Sequence, residues 1–318
     1  MRVGCCPSRD AEGVCDTVPT LQRRPLGATG LNVTLVGLGA LEIGRDWGIG
    51  DGAARERPDE AGAAAVLSSA LDLGINLIDT ASAYHRSEER IGKFASTRRS
   101  EYVLASKCGE HSAEPDTYYD YSYDAIRASI RRSRELLRCD VIDVMQIHFG
   151  PEPAKVLDDG DCVRAMKDAR EAGEIRFLGA SINGDVLARC IDSGDFQVVQ
   201  VGYSLLHPED APLISKARDR GIGVLIRSGF AGGWLTPRIL TAPPEKRPPK
   251  AQALLEVCDG DATKLYALAL HFLARHDGVS SILVGTKSPQ NLARAVRLIQ
   301  TPPDDELLDR AVGVVANR

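Results

Sequence analysis

Three short apolar segments of this 318-residue chain each end in an ionisable side chain. Asp79 ends NLID, Lys107 ends VLASK and His148 ends VMQIH, and Tyr84 follows Asp79 by five residues. If the segments are neighbouring parallel strands, their carboxyl ends meet at one rim, where barrel enzymes have their active sites. Taken singly, each residue has an ordinary alternative role, as a solvated lysine, a turn-capping aspartate or a core histidine. Their coincidence on consecutive segments predicts one catalytic cluster.

The chemistry that suits this set is proton transfer from a phenol. Free tyrosine titrates at about 10, too high for efficient proton exchange near neutral pH. A buried ammonium lowers the pKa of a neighbouring phenol, and a carboxylate keeps that ammonium charged. We therefore expect Lys107 to lower the pKa of Tyr84 and Asp79 to hold Lys107. His148 is expected to hydrogen-bond the substrate oxygen or to share the proton relay.

Apolar and helix-like segments alternate along the chain after residue 24. The stretch RPLGATGLNVTLVGLGA predicts a β-hairpin that leads into a first strand at 36–41. Seven further strands are predicted at NLIDTA, YVLASK, VIDVMQIH, RFLGASI, FQVVQVGY, GVLIRS and SILVG, and eight helices at 59–73, 87–96, 123–138, 161–172, 184–193, 209–220, 261–276 and 288–299. Strict alternation of such apolar strands with helices demands a parallel sheet, and eight units favour its closure.

The predicted fold class is therefore α/β, a (β/α)₈ TIM barrel with an N-terminal β-hairpin and an extra C-terminal helix at 304–315. Residues 21–318 are expected to form a single domain, and residues 1–20 a disordered tail. Two predicted loops on the active rim, 109–122 and 229–260, are longer than the usual two to six or so residues. The composition of 240–255 is compatible with either an ordered or a disordered segment.

Composition and charge narrow the class of partner. The 39 basic and 44 acidic residues give a net charge of −5. This balance lacks the excess of positive charge that is typical of proteins that bind nucleic acid or an anionic membrane surface. The sequence has neither a run of about 20 apolar residues nor the apolar middle region of a secretory signal. We therefore expect a cytoplasmic protein with reduced cysteines and a small-molecule partner. Cys5, Cys6 and Cys15 lack a nearby histidine and a CxxC spacing, so no metal site is expected.

Aromatic residues near the predicted active rim suggest what the substrate contacts. Tyr118, Tyr119 and Tyr121 lie in the loop 109–122, and Trp47 follows the first barrel strand. They are predicted to form an aromatic wall, which suits a planar substrate or a sugar face. The alternative is that they decorate a surface loop. The sequence specifies neither the substrate nor the oligomeric state.

Several segments together resemble the successive signatures of the aldo-keto reductases. They are LGATGLNVTLVGLGALEIG, GINLIDTASAYHRSEERIGKF, YVLASKCG, VIDVMQIHFG and GEIRFLGASING, and the resemblance covers nearly all of residues 24–300. It implies a barrel in which a nicotinamide supplies hydride to a carbonyl carbon while a tyrosine protonates the oxygen. Asp79, Tyr84, Lys107 and His148 match the family tetrad residue for residue.

The same resemblance implies where a nicotinamide cofactor binds. Polar residues that end two strands, Ser181 and Gln200, match the positions that hold the carboxamide. The segment SGFAGGWLT resembles the loop that wraps the pyrophosphate, and VGTKSPQNLARAV resembles the adenosine-phosphate motif. The implied cofactor-binding residues are Gly39, Ser181, Gln200, Arg227, Ser228, Phe230, Gly232, Leu235, Gly285, Thr286, Lys287 and Asn291.

The sequence departs from the family pattern at some of these positions. Ile182 separates Ser181 from Asn183, where the family commonly has Ser-Asn. Arg227 stands where a tyrosine often stacks on the nicotinamide, and its charge is expected to disfavour the oxidised ring and so to favour reduction mildly. Asn291 replaces a glutamine or arginine, and Arg294 and Ala295 replace a Glu-Asn pair. NADP(H) is predicted over NAD(H), because Lys287 and Arg294 offer positive charge and no carboxylate lies within the motif.

Three functions remain open from the sequence. The first is an NADP(H)-dependent reductase of an aldehyde, ketone or sugar carbonyl, with Tyr84 as the acid or base. The second is an NAD(P)-dependent sugar or secondary-alcohol dehydrogenase that works oxidatively on the same site. The third is a cofactor-sensing regulatory subunit with little turnover, which would require a stable macromolecular partner.

Overall fold

The computed structural model describes residues 21–48, 54–302 and 304–316, with only the backbone for Trp47, Gly48, Ala54 and Arg55. The predicted tail at 1–20, with Cys5, Cys6 and Cys15, lies outside the described residues. An antiparallel hairpin comes first, formed by β1 (Arg23–Pro25) and β2 (Asn32–Thr34).

Eight parallel strands close into a barrel, as the alternation of segments predicts. The barrel order β3-β6-β7-β10-β11-β12-β13-β14 follows the chain, and β14 pairs with β3 to close it. These strands are β3 (Val36–Gly39), β6 (Leu77–Asp79), β7 (Val103–Cys108), β10 (Ile142–His148), β11 (Ile175–Ser181), β12 (Val198–Gly202), β13 (Gly223–Arg227) and β14 (Ser281–Gly285). The remaining strands form two small antiparallel pairs, β4 (Trp47–Gly48) with β5 (Ala54–Arg55) and β8 (Glu110–Ala113) with β9 (Asp116–Tyr119).

Helices surround the barrel in the predicted places, with ends that differ by a few residues. The described helices are α1 (Glu60–Asp72), α2 (Ser87–Phe94), α3 (Tyr123–Leu137), α4 (Pro153–Asp159), α5 (Asp161–Glu171), α6 (Gly184–Ser193), α7 (Ala211–Asp219), α8 (Pro249–Val257), α9 (Ala262–Arg275), α10 (Pro289–Gln300) and α11 (Asp305–Ala316). The short helices α4 and α8 were not predicted, whereas α11 is the predicted extra helix. Within the described residues, no helix is both long and apolar enough to cross a membrane.

Both long loops contain regular structure. The loop 109–122 contains the β8–β9 hairpin, and the loop 229–260 contains three 3₁₀ turns and α8. Buried leucines of α8 pack with residues of α9 and α11 in one apolar cluster. The segment 240–255, which the sequence left open, therefore lies in a structured region that covers one side of the active rim.

The barrel interior is apolar at one end and polar at the other. At the amino-terminal end, Leu26 and Val33 of the hairpin region pack beneath inward-facing residues of the strands, among them Leu77, Val144 and Leu225. These side chains are buried and exclude water from the base of the barrel. The polar interior residues lie nearer the carboxyl ends of the strands, so the fold itself assigns the chemistry to that rim.

Candidate active site

The four residues of the predicted tetrad come together at the carboxyl ends of β6, β7 and β10. Lys107 Nζ donates to Asp79 Oδ2 at 2.5 Å and to the carbonyl of Thr80 at 2.9 Å. The same ammonium lies 4.9 Å from the centre of the Tyr84 ring. The rings of Tyr84 and His148 meet edge to face with 6.0 Å between centroids. The predicted proximity of the four side chains therefore holds in the structure.

A close backbone approach fixes the loop that carries Tyr84. Gly44, in the loop after β3, lies against this segment so closely that a Cβ there would come within 2.2 Å of the Tyr84 carbonyl oxygen. Ser87, at the start of α2, donates to the carbonyl of Ala40 at 2.8 Å. These contacts tie the loop after β6 to the loop after β3 and hold the phenol over the barrel axis.

Asp79 accepts hydrogen bonds from two amides as well as from the lysine. Gln146 Nε2 and Gln200 Nε2 donate to Asp79 Oδ1 at 2.9 and 2.8 Å. All four of these side chains, Lys107 included, are buried, and buried charges require such compensation. The sequence reasoning missed Gln146, although a polar residue inside the apolar run VMQIH was an available signal. Gln200 was assigned to a cofactor carboxamide, and in the structure one of its N–H groups is directed to Asp79.

Burial and charge together set the protonation of the pair beneath the phenol. Burial disfavours the charged ammonium of Lys107, but Asp79 and Tyr84 outweigh it and raise its pKa above 10.5. Burial also raises the pKa of Tyr84 above 10, and Lys107 opposes this without reversing it. Lys107 lowers the pKa of Tyr84, as expected. The predicted net lowering of that pKa is wrong, because desolvation of the phenolate is the larger effect. Both groups therefore carry their protons at neutral pH.

A carboxylate that the sequence reasoning missed lies next to the histidine. Glu110 Oε2 is 2.9 Å from Nδ1 of His148, and Glu110 Oε1 accepts from Thr117 Oγ1 at 2.7 Å. Arg45 Nη1 lies 3.7 Å from the same Oε1. The available signal was an acidic residue three positions after Lys107, at the start of a long loop on the active rim.

A cavity of about 790 Å³ connects this cluster to the start of α10. At one end it is bordered by Asp79, Tyr84 and His148, and at the other by Asn291 and Arg294. The backbone of the loop after β13 forms one wall through Gly229, Phe230, Gly232 and Gly233. Glycines let a ligand approach the backbone closely, and a helix amino terminus favours phosphate. The length and lining of this cavity suit an extended ligand that carries phosphate groups.

Most residues that the sequence assigned to the cofactor border this cavity. Leu235 does not, since it is buried in the apolar cluster with α8 and α9. Lys287 is also absent from the lining, and its ammonium donates to the carbonyl of Glu56 at 2.6 Å. The assigned residues that do line the cavity are Gly39, Ser181, Gln200, Arg227, Ser228, Phe230, Gly232, Gly285, Thr286 and Asn291.

Arg227 is held by a polar network at the ends of β11 and β12. Its Nη2 donates to Asn183 Oδ1 at 2.6 Å, and Asn183 Nδ2 donates to the carbonyl of Gly202 at 2.8 Å and to Asp210. Burial lowers the pKa of the Arg227 guanidinium below its ordinary value. Asn183 is thus turned toward β12 and does not border the cavity described above, while Arg227 does.

The tyrosines of the predicted aromatic wall do not line this cavity. Tyr118 is 53% exposed and stacks on His111, and Tyr119 is 43% exposed and stacks on Tyr121. Neither lines the cavity. The side chain of Trp47 lies outside the described residues, so its predicted substrate contact stays a prediction.

The chain is similar to known proteins over nearly its whole length. A model of the Aldo/keto reductase family matches residues 35–315. L-Galactose dehydrogenase from Arabidopsis thaliana is 29% identical, with 93% of this chain and 94% of that protein covered. NADH-specific methylglyoxal reductase from Escherichia coli (strain K12) is 26% identical, with 87% of this chain and 93% of that protein covered.

A solved structure agrees with the fold. The aldo-keto reductase AKR11C1 from Bacillus halodurans, in its holo form, superposes with a TM-score of 0.78 at 25% identity, covering 93% of this chain and 96% of that chain. The closed barrel, the family match over most of the chain and these relatives agree with one another. The chain belongs to the aldo/keto reductase family and is an oxidoreductase.

Proposed function

We propose that this enzyme transfers hydride between NADP(H) and an aldehyde, ketone or sugar carbonyl and the corresponding alcohol, with Tyr84 as the acid or base. The observation that carries the proposal is the buried Lys107–Asp79 pair, which lies beneath Tyr84 at one end of a dinucleotide-sized cavity. A bound nicotinamide supplies or accepts the hydride. The protein contributes the position of the reacting groups and control of the proton.

Each buried residue has a separate task in this proposal. Tyr84 carries its proton at neutral pH and donates it to the carbonyl oxygen during reduction. Lys107 stabilises the phenolate that remains, because an ammonium in a water-poor site interacts strongly with a nearby anion. Asp79 keeps Lys107 charged, and Gln146 and Gln200 hold the carboxylate of Asp79 in place. The reverse reaction uses the same groups in the opposite sense.

The preference for NADP(H) over NAD(H) is supported by the basic residues of the cavity. Arg294 on α10 and Arg238 in the loop after β13 both line it. Lys287, the residue that the sequence favoured, is bound to Glu56 and lies outside the lining. We therefore propose Arg294 as the first contact of a 2′-phosphate, since a guanidinium can bind phosphate through two parallel hydrogen bonds.

Steady-state turnover tests this function directly. Purified enzyme is assayed with NADPH and NADH on a panel of aldehydes, ketones and aldoses, and with NADP⁺ and NAD⁺ on the matching alcohols and sugars. We expect turnover that depends on a nicotinamide cofactor. Cofactor binding with no turnover on any substrate, together with a stable protein complex in pull-down, would instead support the regulatory subunit.

The oxidative dehydrogenase is a second candidate because of one feature of the site. The carboxylate of Glu110 contacts Nδ1 of His148, and both residues border the cavity. The contact influences whether His148 donates or accepts a hydrogen bond. It therefore influences whether the site binds the carbonyl compound or the alcohol better.

A further inference from the structure

The turn after β7 brings a carboxylate to the catalytic histidine. Gly109 has a φ of +98°, and a Cβ there would come within 2.4 Å of the Tyr121 ring. Tyr121 in turn donates its hydroxyl proton to the carbonyl of His148 at 2.9 Å. The hairpin is therefore anchored to β10, and its first residue, Glu110, is buried against the His148 ring.

The two oxygens of Glu110 have different partners. Oε1 accepts from Thr117 and faces Arg45, whereas Oε2 lies 2.9 Å from His148 Nδ1. This is a charge contact and not a well-aligned hydrogen bond, because the geometry at Nδ1 does not meet that of a hydrogen bond. Nδ1 is buried and has no better-aligned partner among the described residues. The nitrogen that remains for a ligand is Nε2.

The charge states of the two groups decide the tautomer. Burial opposes ionisation of Glu110, but His148, Thr117 and Arg45 outweigh it and lower its pKa to about 2. Glu110 is thus a carboxylate near neutral pH and can only accept hydrogen bonds. Burial lowers the pKa of His148 below 6.5, and Lys107 adds to this against the opposing effect of Glu110. A neutral imidazole beside a carboxylate carries its proton on Nδ1, which leaves a lone pair on Nε2.

We propose that Glu110 is a positioning residue that holds His148 as a hydrogen-bond acceptor, so that near neutral pH the site binds a hydroxyl-bearing substrate, an alcohol or a cyclic sugar, better than the corresponding carbonyl compound. The inference rests on the proposed function. Tyr84 presents a donor and Nε2 of His148 presents an acceptor. A hydroxyl group matches both, because it accepts one hydrogen bond and donates another. A carbonyl oxygen only accepts, so its lone pairs meet the lone pair of Nε2.

The match reverses when His148 takes up a second proton. Below the pKa of His148 both ring nitrogens donate, and a carbonyl oxygen then fits between Tyr84 and Nε2. Glu110 stays ionised through this range because its pKa is about 2. Charged and titratable groups face the pair from the loop after β3, from β6, β7 and β9, from the segment after β9 and from the loop after β6. They are Arg45, Asp79, Lys107, Tyr119, Tyr121 and Tyr84. With Glu110 ionised, the group expected to gain charge as the pH falls below 6.5 is His148.

The tautomer can be measured without any enzyme turnover. We suggest ¹⁵N NMR of the cofactor-free protein, labelled at its six histidines, with the His148 signals assigned by their loss in His148→Asn. At pH 7.5 the expected pattern is a protonated Nδ1 and an unprotonated Nε2. A protonated Nε2 with a bare Nδ1 would overturn the inference. Since this readout needs no substrate, its failure is distinguishable from failure of the proposed function.

Kinetics of matched variants test the consequence for binding. We expect the wild-type KM for an alcohol to be lower than that for its carbonyl partner at pH 7.5, with the carbonyl KM falling as the pH is lowered to 5.5. In Glu110→Gln the side-chain amide can donate a hydrogen bond to an unprotonated Nδ1. The ring proton then lies on Nε2, which becomes a donor. The ratio of the two KM values should then move toward the carbonyl by about three- to tenfold, the size of one net hydrogen bond.

Two further variants separate positioning from general disruption. Glu110→Asp keeps an acceptor and should keep the sign of the wild-type preference. Glu114→Gln lies at the far end of the same hairpin, where Glu114 pairs with Arg57, and should leave the ratio unchanged. A merely structural Glu110 would lower kcat for both substrates at a constant KM ratio, and that outcome would contradict the proposal. If Glu110→Gln does not fold, the NMR measurement on the wild type still decides.

Discussion

At the scale of single residues, the site depends on charges that are buried in matched sets. Asp79 receives hydrogen bonds from Lys107, Gln146 and Gln200, which stand on three different strands. Such sets are costly to break, because a lone buried charge keeps its desolvation penalty and loses its partner. The pKa of Lys107 lies above its ordinary 10.5 as a result.

Replacing Asp79 tests this pairing. Asp79→Asn removes the partner that raises the pKa of Lys107, so the lysine should release its proton at lower pH, and Tyr84 then loses the charge that stabilises its phenolate. We expect the variant to fold and bind cofactor, with reduced turnover and a pH profile of changed shape. The measurement is kcat against pH for both proteins. An unshifted profile with full turnover would reduce Asp79 to a turn-capping residue.

The raised lysine pKa also predicts a pH dependence of stability. Since the pKa of Lys107 is higher in the folded than in the unfolded chain, the stabilisation is complete below about 10.5 and decreases as the pH rises through the folded-state value. Urea denaturation of the wild type and of Lys107→Met should therefore give unfolding free energies whose difference is constant between pH 7 and 9 and changes above 10.5. A difference that changes between pH 7 and 9 would contradict the assignment.

At the scale of elements, the strand ends hold the tetrad residues, and loops that follow the strands supply much of the remaining cavity lining. Much of the cavity lining outside the barrel strands comes from segments that follow strands, among them the loop after β3, the loop 229–260 after β13 and the start of α10 after β14. Ser288 caps α10, accepting from the amide of Asn291 at 3.3 Å. The cofactor preference should therefore respond to changes on α10 without any change in the tetrad.

Two variants on either side of this helix start compare the basic residues. Arg294→Ala should weaken NADPH binding by about 1.5–3 kcal/mol, the scale of a hydrogen bond to a charged group, with little effect on NADH. Lys287→Ala should have the smaller effect, because its ammonium is bound to the Glu56 carbonyl outside the cavity. Dissociation constants from fluorescence titration check both. Equal losses for NADPH and NADH in Arg294→Ala would mean that this residue does not contact the 2′-phosphate.

The hairpin that carries Glu110 depends on the glycine before it. Gly109→Ala places a side chain at φ +98° and within 2.4 Å of the Tyr121 ring, so we expect a loss of unfolding free energy at the upper end of about 1–3 kcal/mol. Gly173→Ala is the matched control, with φ +73° but open space around the added carbon. Urea denaturation of both is the measurement. Equal costs would show that Tyr121 moves aside freely.

At the scale of the whole molecule, the features that could be predicted from the sequence are those set by local patterns of apolar residues. Apolar runs with helix-like segments between them predicted all eight barrel strands and their parallel order, because strands buried on both faces must be covered by the helices that connect them. The short helices α4 and α8 escaped notice since each begins at a proline and spans fewer than three turns, too few for a clear apolar period. That residues 21–318 form a single domain stays a prediction.

Contacts across the barrel were beyond the reach of sequence reasoning. Gln200 lies 121 residues from Asp79, and only closure of the barrel brings β12 and β6 side chains into one layer. The Glu110–His148 contact likewise depends on how a hairpin folds back over the rim. The direction of the Tyr84 pKa shift could not be predicted without knowing how deeply the phenol is buried. Burial raises this pKa by more than the neighbouring ammonium lowers it. The pairing of Asp79 with Lys107 could be predicted from the sequence, whereas the contacts of Gln146 and Gln200 with Asp79 could not.

The measurement that tests the central claim most directly is turnover and cofactor affinity in Tyr84→Phe. This change removes one hydroxyl, the proposed proton donor, and leaves the ring and the cavity in place. We predict that NADPH binding stays within a few fold of the wild type, while kcat falls by roughly 10²–10⁴ in both reaction directions. Near wild-type turnover in Tyr84→Phe would contradict the account, because the proton would then have to come from another group.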